Sequence, residues 1–189
     1  MPDKGFTLPE ILIAMTVFLL VVAGIITANL FGLKMFQVNV TKLNVTTWSR
    51  ETVQKITAEV HACDTVYVGN ITTNGVFEGL LDGETQQGTA LLIYPTTNTN
   101  NNYIVYFINP SDETFRQTVA TLSGTNTVIL ADSVTNTIAF SVQNFSGTVL
   151  TNNENNRVIH LTLEFNQPAR FMLGADYYKL ETSMTRRLK

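Results

Sequence analysis

ILIAMTVFLLVVAGIITANLFGL, residues 11–33, contains no Asp, Glu, Lys, Arg or His and lies between Glu10 and Lys34. At about 1.5 Å per residue these 23 residues make about 34 Å of helix, enough to cross a hydrocarbon core of about 30 Å. A cleaved secretory signal differs in kind. It has a basic n-region, an apolar core of roughly 7–15 residues and a small-residue cleavage site after that core. Here the apolar run is longer, a carboxylate precedes its first turn, and nothing after Leu33 has the small-residue pattern. Length and composition therefore describe a retained single-pass anchor.

The seven residues ahead of the run, Lys4-Gly5-Phe6-Thr7-Leu8-Pro9-Glu10, say more than anchoring. A carboxylate drawn into a bilayer costs on the order of a few kcal/mol, so Glu10 needs a partner. If the chain is cut after Gly5, Phe6 becomes the N-terminus and its amine lies about one helical turn from the Glu10 carboxylate. The amine of a neighbouring copy could serve equally. Pro9 is tolerated there, because the first helical turn has no intrahelical acceptor for the N–H that proline lacks.

Gly5 before a cut, Phe6 as the mature first residue, Thr7-Leu8 after it and Glu10 as the mature fifth residue resemble the type IV prepilin family, which includes type IV pilins and the pseudopilins of secretion and competence systems. Pro9 departs from that pattern, which more often has an aliphatic residue there. The resemblance implies that a membrane-embedded prepilin peptidase cuts Gly5-Phe6 and methylates the Phe6 amine. It also implies that the helix stays attached and becomes the core of a helical filament. In related filaments part of this helix is thought to loosen on assembly. Gly24 is the natural place, although a membrane-helix glycine also serves as a close-packing site.

Composition narrows the partners. Charged residues make up 14% of the 189-residue chain and its net charge is −3, which leaves no broad basic face for nucleic acid. Arg186-Arg187-Leu188-Lys189 is a short basic cluster of the kind usually solvated. The single cysteine, Cys63, admits no intramolecular disulfide, so the C-terminal disulfide loop of many adhesive type IV pilins is missing. His61, Cys63 and His160 are too sparse for a zinc site. No G-x-S-x-G, H-E-x-x-H or Walker loop occurs, and no catalytic residue, cofactor or metal is expected. Asp82 with Glu84, and Asp112 with Glu113, lie in turn-rich sequence and are read as solubilising. The Asn152-Asn153-Glu154 loop lacks the carboxylates of a dedicated calcium site.

Beyond the span, Val45, Trp48, Thr52, Ile56, Val60 and Cys63 recur at helical spacing, and Arg50, Glu51, Gln54, Lys55 and Glu59 occupy the other faces. This predicts an amphipathic continuation whose stripe packs on a sheet. Residues 38–47 alternate and are rich in β-branched side chains. A lone strand leaving a membrane would carry unpaired backbone groups, so one helix from about Phe6 to Ala62 is expected. After Cys63 the period changes to two. Strands are predicted at 65–69, 75–81, 89–94, 103–109, 114–122, 127–132, 136–143, 157–165 and 177–185, separated by turn residues.

The expected fold class is α+β and pilin-like: a long N-terminal transmembrane helix packed on an antiparallel β-sheet domain. Its parts are a leader (1–5), a membrane and assembly half-helix (6–33), an amphipathic half-helix (34–62) and a β-rich domain (63–189). The order of the later apolar strands, with Ala131-Asp132 at a turn and a last strand running into Arg186-Arg187, is similar to J-type minor pseudopilins and W-type minor pilins.

The resemblance implies a structural subunit held in the bacterial inner membrane, with its C-terminal domain periplasmic or extracellular. Its partners would be prepilin peptidase, sibling pilins or pseudopilins, an inner-membrane assembly platform and membrane lipid. A secretion-type tip subunit characteristically lacks the Glu10 carboxylate, so this chain would sit below the tip. Two alternatives are an adhesin or cargo-binding module, using the aromatic strand 103–107 and the Thr/Asn loops, and a tethered domain that never polymerises.

Overall fold

The computed structural model describes residues 5–72, 74–97, 102–152, 158–168 and 175–187, without the side chains of 37–48, 167, 168, 175 and 176. They fall into two compact units, Met1–Trp48 and Ser49–Lys189. A 55-residue helix, α1 (Leu8–Ala62), runs through the boundary between them. The alternating segment 38–47 is helical, and so is the backbone at Gly24 and Asn29.

In the first unit, Leu8–Phe36 is long and apolar enough to cross a membrane. Its apolar side chains, Leu12, Phe18, Leu20 and Phe31 among them, project outward and stay uncovered. Three of its polar side chains bond one turn back along the same helix. Thr16 Oγ1 donates to the Ile13 carbonyl at 2.8 Å, Thr27 Oγ1 to Ala23 at 2.8 Å and the Asn29 amide to Ile25 at 3.0 Å. Such back-bonding pairs hydroxyl and amide donors that would otherwise face hydrocarbon.

In the second unit, the end of α1 buries Ser49, Thr52, Ile56 and Val60, with Cys63 just beyond it. This is the lower part of the predicted stripe; the side chains of Val45 and Trp48 lie outside the described residues. Among the described residues ten strands follow: β1 (Thr65–Ile71), β2 (Phe77–Gly79), β3 (Gln87–Gly88), β4 (Ala90–Tyr94), β5 (Tyr103–Asn109), β6 (Thr114–Thr121), β7 (Gly124–Ala131), β8 (Phe140–Gln143), β9 (Val158–Pro168) and β10 (Ala175–Thr185). They form an antiparallel six-stranded sheet in the order β2-β1-β4-β5-β6-β7 and an antiparallel four-stranded sheet in the order β10-β9-β8-β3. The fold class is α+β, as expected.

Buried positions explain why β4 reads as an unbroken apolar run. Leu91 and Ile93 share a face with Val66, Val68 and Tyr106, while Ala90 and Leu92 cluster on the opposite face with Val105 and Phe107. A strand covered on both faces has no polar side to alternate with. Tyr67, Ile71, Phe77, Tyr94 and Tyr103 fringe the second cluster. Tyr94 meets Tyr67 and Tyr103 edge-to-face, with ring centroids 6.3 and 6.5 Å apart. On the other face, Tyr106 stacks on Phe115 (6.1 Å) and Phe115 meets Phe140 of the second sheet (6.2 Å), so one aromatic chain joins the two sheets.

The sheets meet at a corner built from glycine. A Cβ on Gly88 would lie 2.1 Å from the Gly69 carbonyl oxygen, and one on Gly69 would lie 2.2 Å from the Glu78 carbonyl oxygen. Only a residue without Cβ allows this backbone approach. Thr89 turns the chain from the second sheet into the first. Its N–H donates to Asn70 Oδ1 and its hydroxyl accepts from the Ile71 N–H, both at 3.1 Å.

Strand bounds shift in the structure: β2 keeps only Phe77–Gly79 of the expected 75–81, β9 ends three residues later than expected and β10 starts two residues earlier. β3 has two residues and no period to detect. β7 begins at Gly124 because the hairpin turn is only Leu122-Ser123. β8 begins at Phe140, where 136–143 had been expected. The preceding stretch is held along β9 in part by a side chain. The Asn136 amide donates to the Thr162 carbonyl at 2.8 Å and accepts from the Glu164 N–H at 2.9 Å, imitating a strand partner.

Candidate processing and assembly site

Gly5, Phe6 and Thr7 precede the first helical turn and are exposed, and nothing crowds the Cα of Gly5. The Gly5-Phe6 peptide bond therefore lies in non-helical backbone, the conformation a protease can draw into its cleft. Phe6 is 86% exposed. The helix starts at Leu8, two residues later than expected, because Thr7 caps it.

Thr7 donates twice to Glu10 across the first turn of that helix. Glu10 Oε2 accepts the Thr7 backbone N–H at 2.9 Å and the Thr7 hydroxyl at 2.8 Å. The Thr7 carbonyl accepts the Ile11 N–H at 3.3 Å, the first bond of the helical ladder. Thr7 sits at the N-cap and Glu10 at the third helical position, so T-L-P-E has the capping-box sequence, and the half in which the glutamate reaches back to the cap N–H is formed, with the Thr7 hydroxyl donating to the same carboxylate. Pro9, between them, lacks an N–H where none is required. Acidic charge in the first turn also suits the positive end of the helix.

Sequence reasoning placed the Glu10 partner at an amine and overlooked Thr7. The signal was present: threonine followed three residues later by glutamate, ahead of an apolar run, is the sequence mark of this motif. With the Gly5-Phe6 bond intact, Phe6 contributes a peptide nitrogen and no charge. Thr7 occupies the carboxylate instead.

A family model described as the prokaryotic N-terminal methylation motif matches residues 1–26. The chain carries a type IV prepilin-like N-terminus. The matched segment contains Gly5, Phe6, Thr7 and Glu10 and reaches into the apolar helix. The motif implies processing by prepilin peptidase and assembly with other pilins. With the apolar helix, it fits a pilin anchored in the inner membrane. No curated protein and no solved structure matches the chain.

Other residues singled out in the sequence have structural partners. Asp112 accepts the Thr114 hydroxyl at 2.6 Å and pairs with Arg116, and these interactions hold its carboxyl below the usual range. Glu84 accepts the Leu81 N–H at 2.8 Å, closing a turn. His160 meets Ser183 across the β9–β10 pair at 2.9 Å, and no group of three metal-ligating side chains occurs among the described residues. Arg186, expected in a solvated tail, donates to the Asp64 main-chain carbonyl and ties the end of β10 to the start of the sheet domain. The calcium question at Asn153-Glu154 and most of the Asn98–Asn102 loop lie outside the described residues.

Proposed function

We propose that this chain is a minor structural subunit of a type IV pilus or of a secretion or competence pseudopilus. Prepilin peptidase cuts Gly5-Phe6 and methylates the Phe6 amine. The helix stays in the inner membrane until an assembly platform extracts it into a filament with sibling pilins. In this reading residues 1–5 are the leader, 6–33 the membrane and assembly segment, 34–62 the amphipathic half-helix and 63–189 the periplasmic or extracellular β-rich domain. The observation that carries the proposal is the placement of an exposed, non-helical Gly5-Phe6 bond directly before a capped apolar helix matched by the methylation motif.

Glu10 serves twice in this scheme. Before the cut it caps its own helix through Thr7. Afterwards it compensates a terminal amine, its own or a neighbour's, as helices bundle away from water. Retention of Glu10 supports a position below the tip-most subunit, or in the body of the filament. The apolar strand order and the missing disulfide support a J-type or W-type minor subunit over a major adhesive pilin.

Co-expression with a prepilin peptidase and intact-mass analysis test the first step. The expected product starts at Phe6 and carries one methyl group on its amine. A chain that keeps residues 1–5 in the presence of an active peptidase overturns the reading. Glu10→Ala tests the second step: it should still be cut but be absent from sheared filaments or pseudopili. Normal incorporation of that variant would leave a tethered domain as the better account.

A further inference from the structure

The edges of the two sheets are unequally protected. β2 and β3 have three and two residues, too short to template a partner. β10 is long but carries Lys179 and Glu181, ion-paired at 2.7 Å, and charges on an edge strand discourage pairing. β7, Gly124-Thr-Asn-Thr-Val-Ile-Leu-Ala131, has eight residues, no charge and no proline. Residues 124–129 are exposed, Val128 by 47% and Ile129 by 57%. Its one irregularity is a bulge at its far end, where the register shifts beside Leu130.

Register shows which backbone groups are free. Thr121 pairs with Gly124 across the two-residue turn, which makes them a hydrogen-bonded pair. Alternation then assigns Val119–Asn126 and Gln117–Val128 to the bonded class, and Thr125, Thr127 and Ile129 direct their N–H and C=O groups away from β6. No main-chain bond outside the β6–β7 ladder engages these three among the described residues.

We propose that this edge pairs antiparallel with β7 of a second copy of the chain, about a two-fold axis at Thr127. That register sets Thr127 against Thr127, Thr125 against Ile129 and Ile129 against Thr125. Every outward group then meets its complement, giving about six main-chain hydrogen bonds. Between them Asn126 faces Val128. The strand is self-complementary: no charge meets a like charge, and each exposed Ile129 is covered by the partner's threonine. An uncharged strand that fits its own reverse selects a copy of itself by strand addition. This contact is separate from helix bundling and does not depend on Glu10 or on cleavage.

Disulfide trapping in the full chain, in membranes or detergent, tests the register. Cys63 is buried, so the native thiol contributes little background. Under mild oxidation Thr127→Cys should yield mostly dimer, and a mixture of Thr125→Cys and Ile129→Cys chains carrying different tags should yield the mixed dimer. Leu122→Cys, at the 89% exposed hairpin tip, should yield little. Thr127→Lys, added to the Thr125→Cys and Ile129→Cys chains, brings two like charges together at the axis and should cut the mixed dimer severalfold. Its far-UV circular dichroism should match the parent chain, because residue 127 is exposed. Equal trapping at Leu122, indifference to Thr127→Lys, or linkage of Thr127→Cys only to other proteins would overturn the proposal.

Discussion

The Tyr106 hydroxyl, in the middle of the six-stranded sheet, donates a 2.7 Å hydrogen bond to the Glu59 carboxylate on α1. Gln117 donates to the same hydroxyl at 2.8 Å and to the carboxylate at 3.3 Å, and Lys55 donates to Gln117 at 2.7 Å. Two helix side chains one turn apart are thus pinned to neighbouring residues of β5 and β6. Burial and the Glu59 bond push the tyrosine hydroxyl far up, so it remains a donor. Tyr106→Phe keeps the ring contact with Phe115 but leaves Glu59 and Gln117 each short of a partner. The expected loss is about 1–3 kcal/mol, read by denaturant unfolding of the sheet domain in the full chain. A change below a few tenths would show that water replaces the hydroxyl.

The same cluster carries a pH dependence. Partial burial raises the Glu59 carboxyl above its ordinary value, more than Tyr106, Lys55 and Gln117 lower it. The native state therefore binds a proton more tightly than the unfolded chain. The stabilisation is fully present below the ordinary glutamate range and is lost as pH rises through the raised native value. Glu59→Gln still accepts from Tyr106 and should remove this slope. Unfolding midpoints of both chains, followed from pH 4 upward, check it; parallel curves would assign the slope to another group.

At the corner of the two sheets, Gly88→Ala forces a methyl against the Gly69 carbonyl, which is main chain and cannot rotate away. A loss of about 1–3 kcal/mol or more is expected, the cost of overpacking. Gly24→Ala is the contrast, because nothing lies within 4 Å of its Cβ position. It should leave unfolding of the sheet domain unchanged.

At the helix start, Thr7→Ala removes the side-chain bond from threonine to Glu10 and weakens the cap, by about 0.5–2 kcal/mol for such positions. Faster hydrogen exchange confined to the first turn of α1, in the uncut chain, is the expected readout. Thr7→Ser should restore protection. Exchange that spreads along the whole helix would mean the cap does more than close its end.

Much of this was legible in sequence. The span announced itself by 23 uncharged residues, the change of period after Cys63 marked where helix gives way to strands, and Gly5, Phe6 and Glu10 stood out as a processing pattern. The capping partner was legible and overlooked, because attention to a charge for Glu10 hid the neutral donor three residues away. β3 and the Asn136 stretch were not legible. Two residues carry no period, and a side-chain amide can replace a strand's backbone without leaving any alternation behind.

The sequence by itself determined what depends on near neighbours along the chain: the membrane-length helix, the T-x-x-E start of that helix, the exposed Gly5-Phe6 bond ahead of it and most strands. Periodicity and capping act within a few residues, so they are written locally. Only the tertiary structure decided which edge is left open, which glycines must lack a Cβ, and that Glu59, Tyr106 and Gln117 share one polar cluster. Those depend on strand order and register, which bring together residues 47 and 58 positions apart. Nothing in a local stretch specifies such pairings, since burial and hydrogen bonding of distant segments select them together.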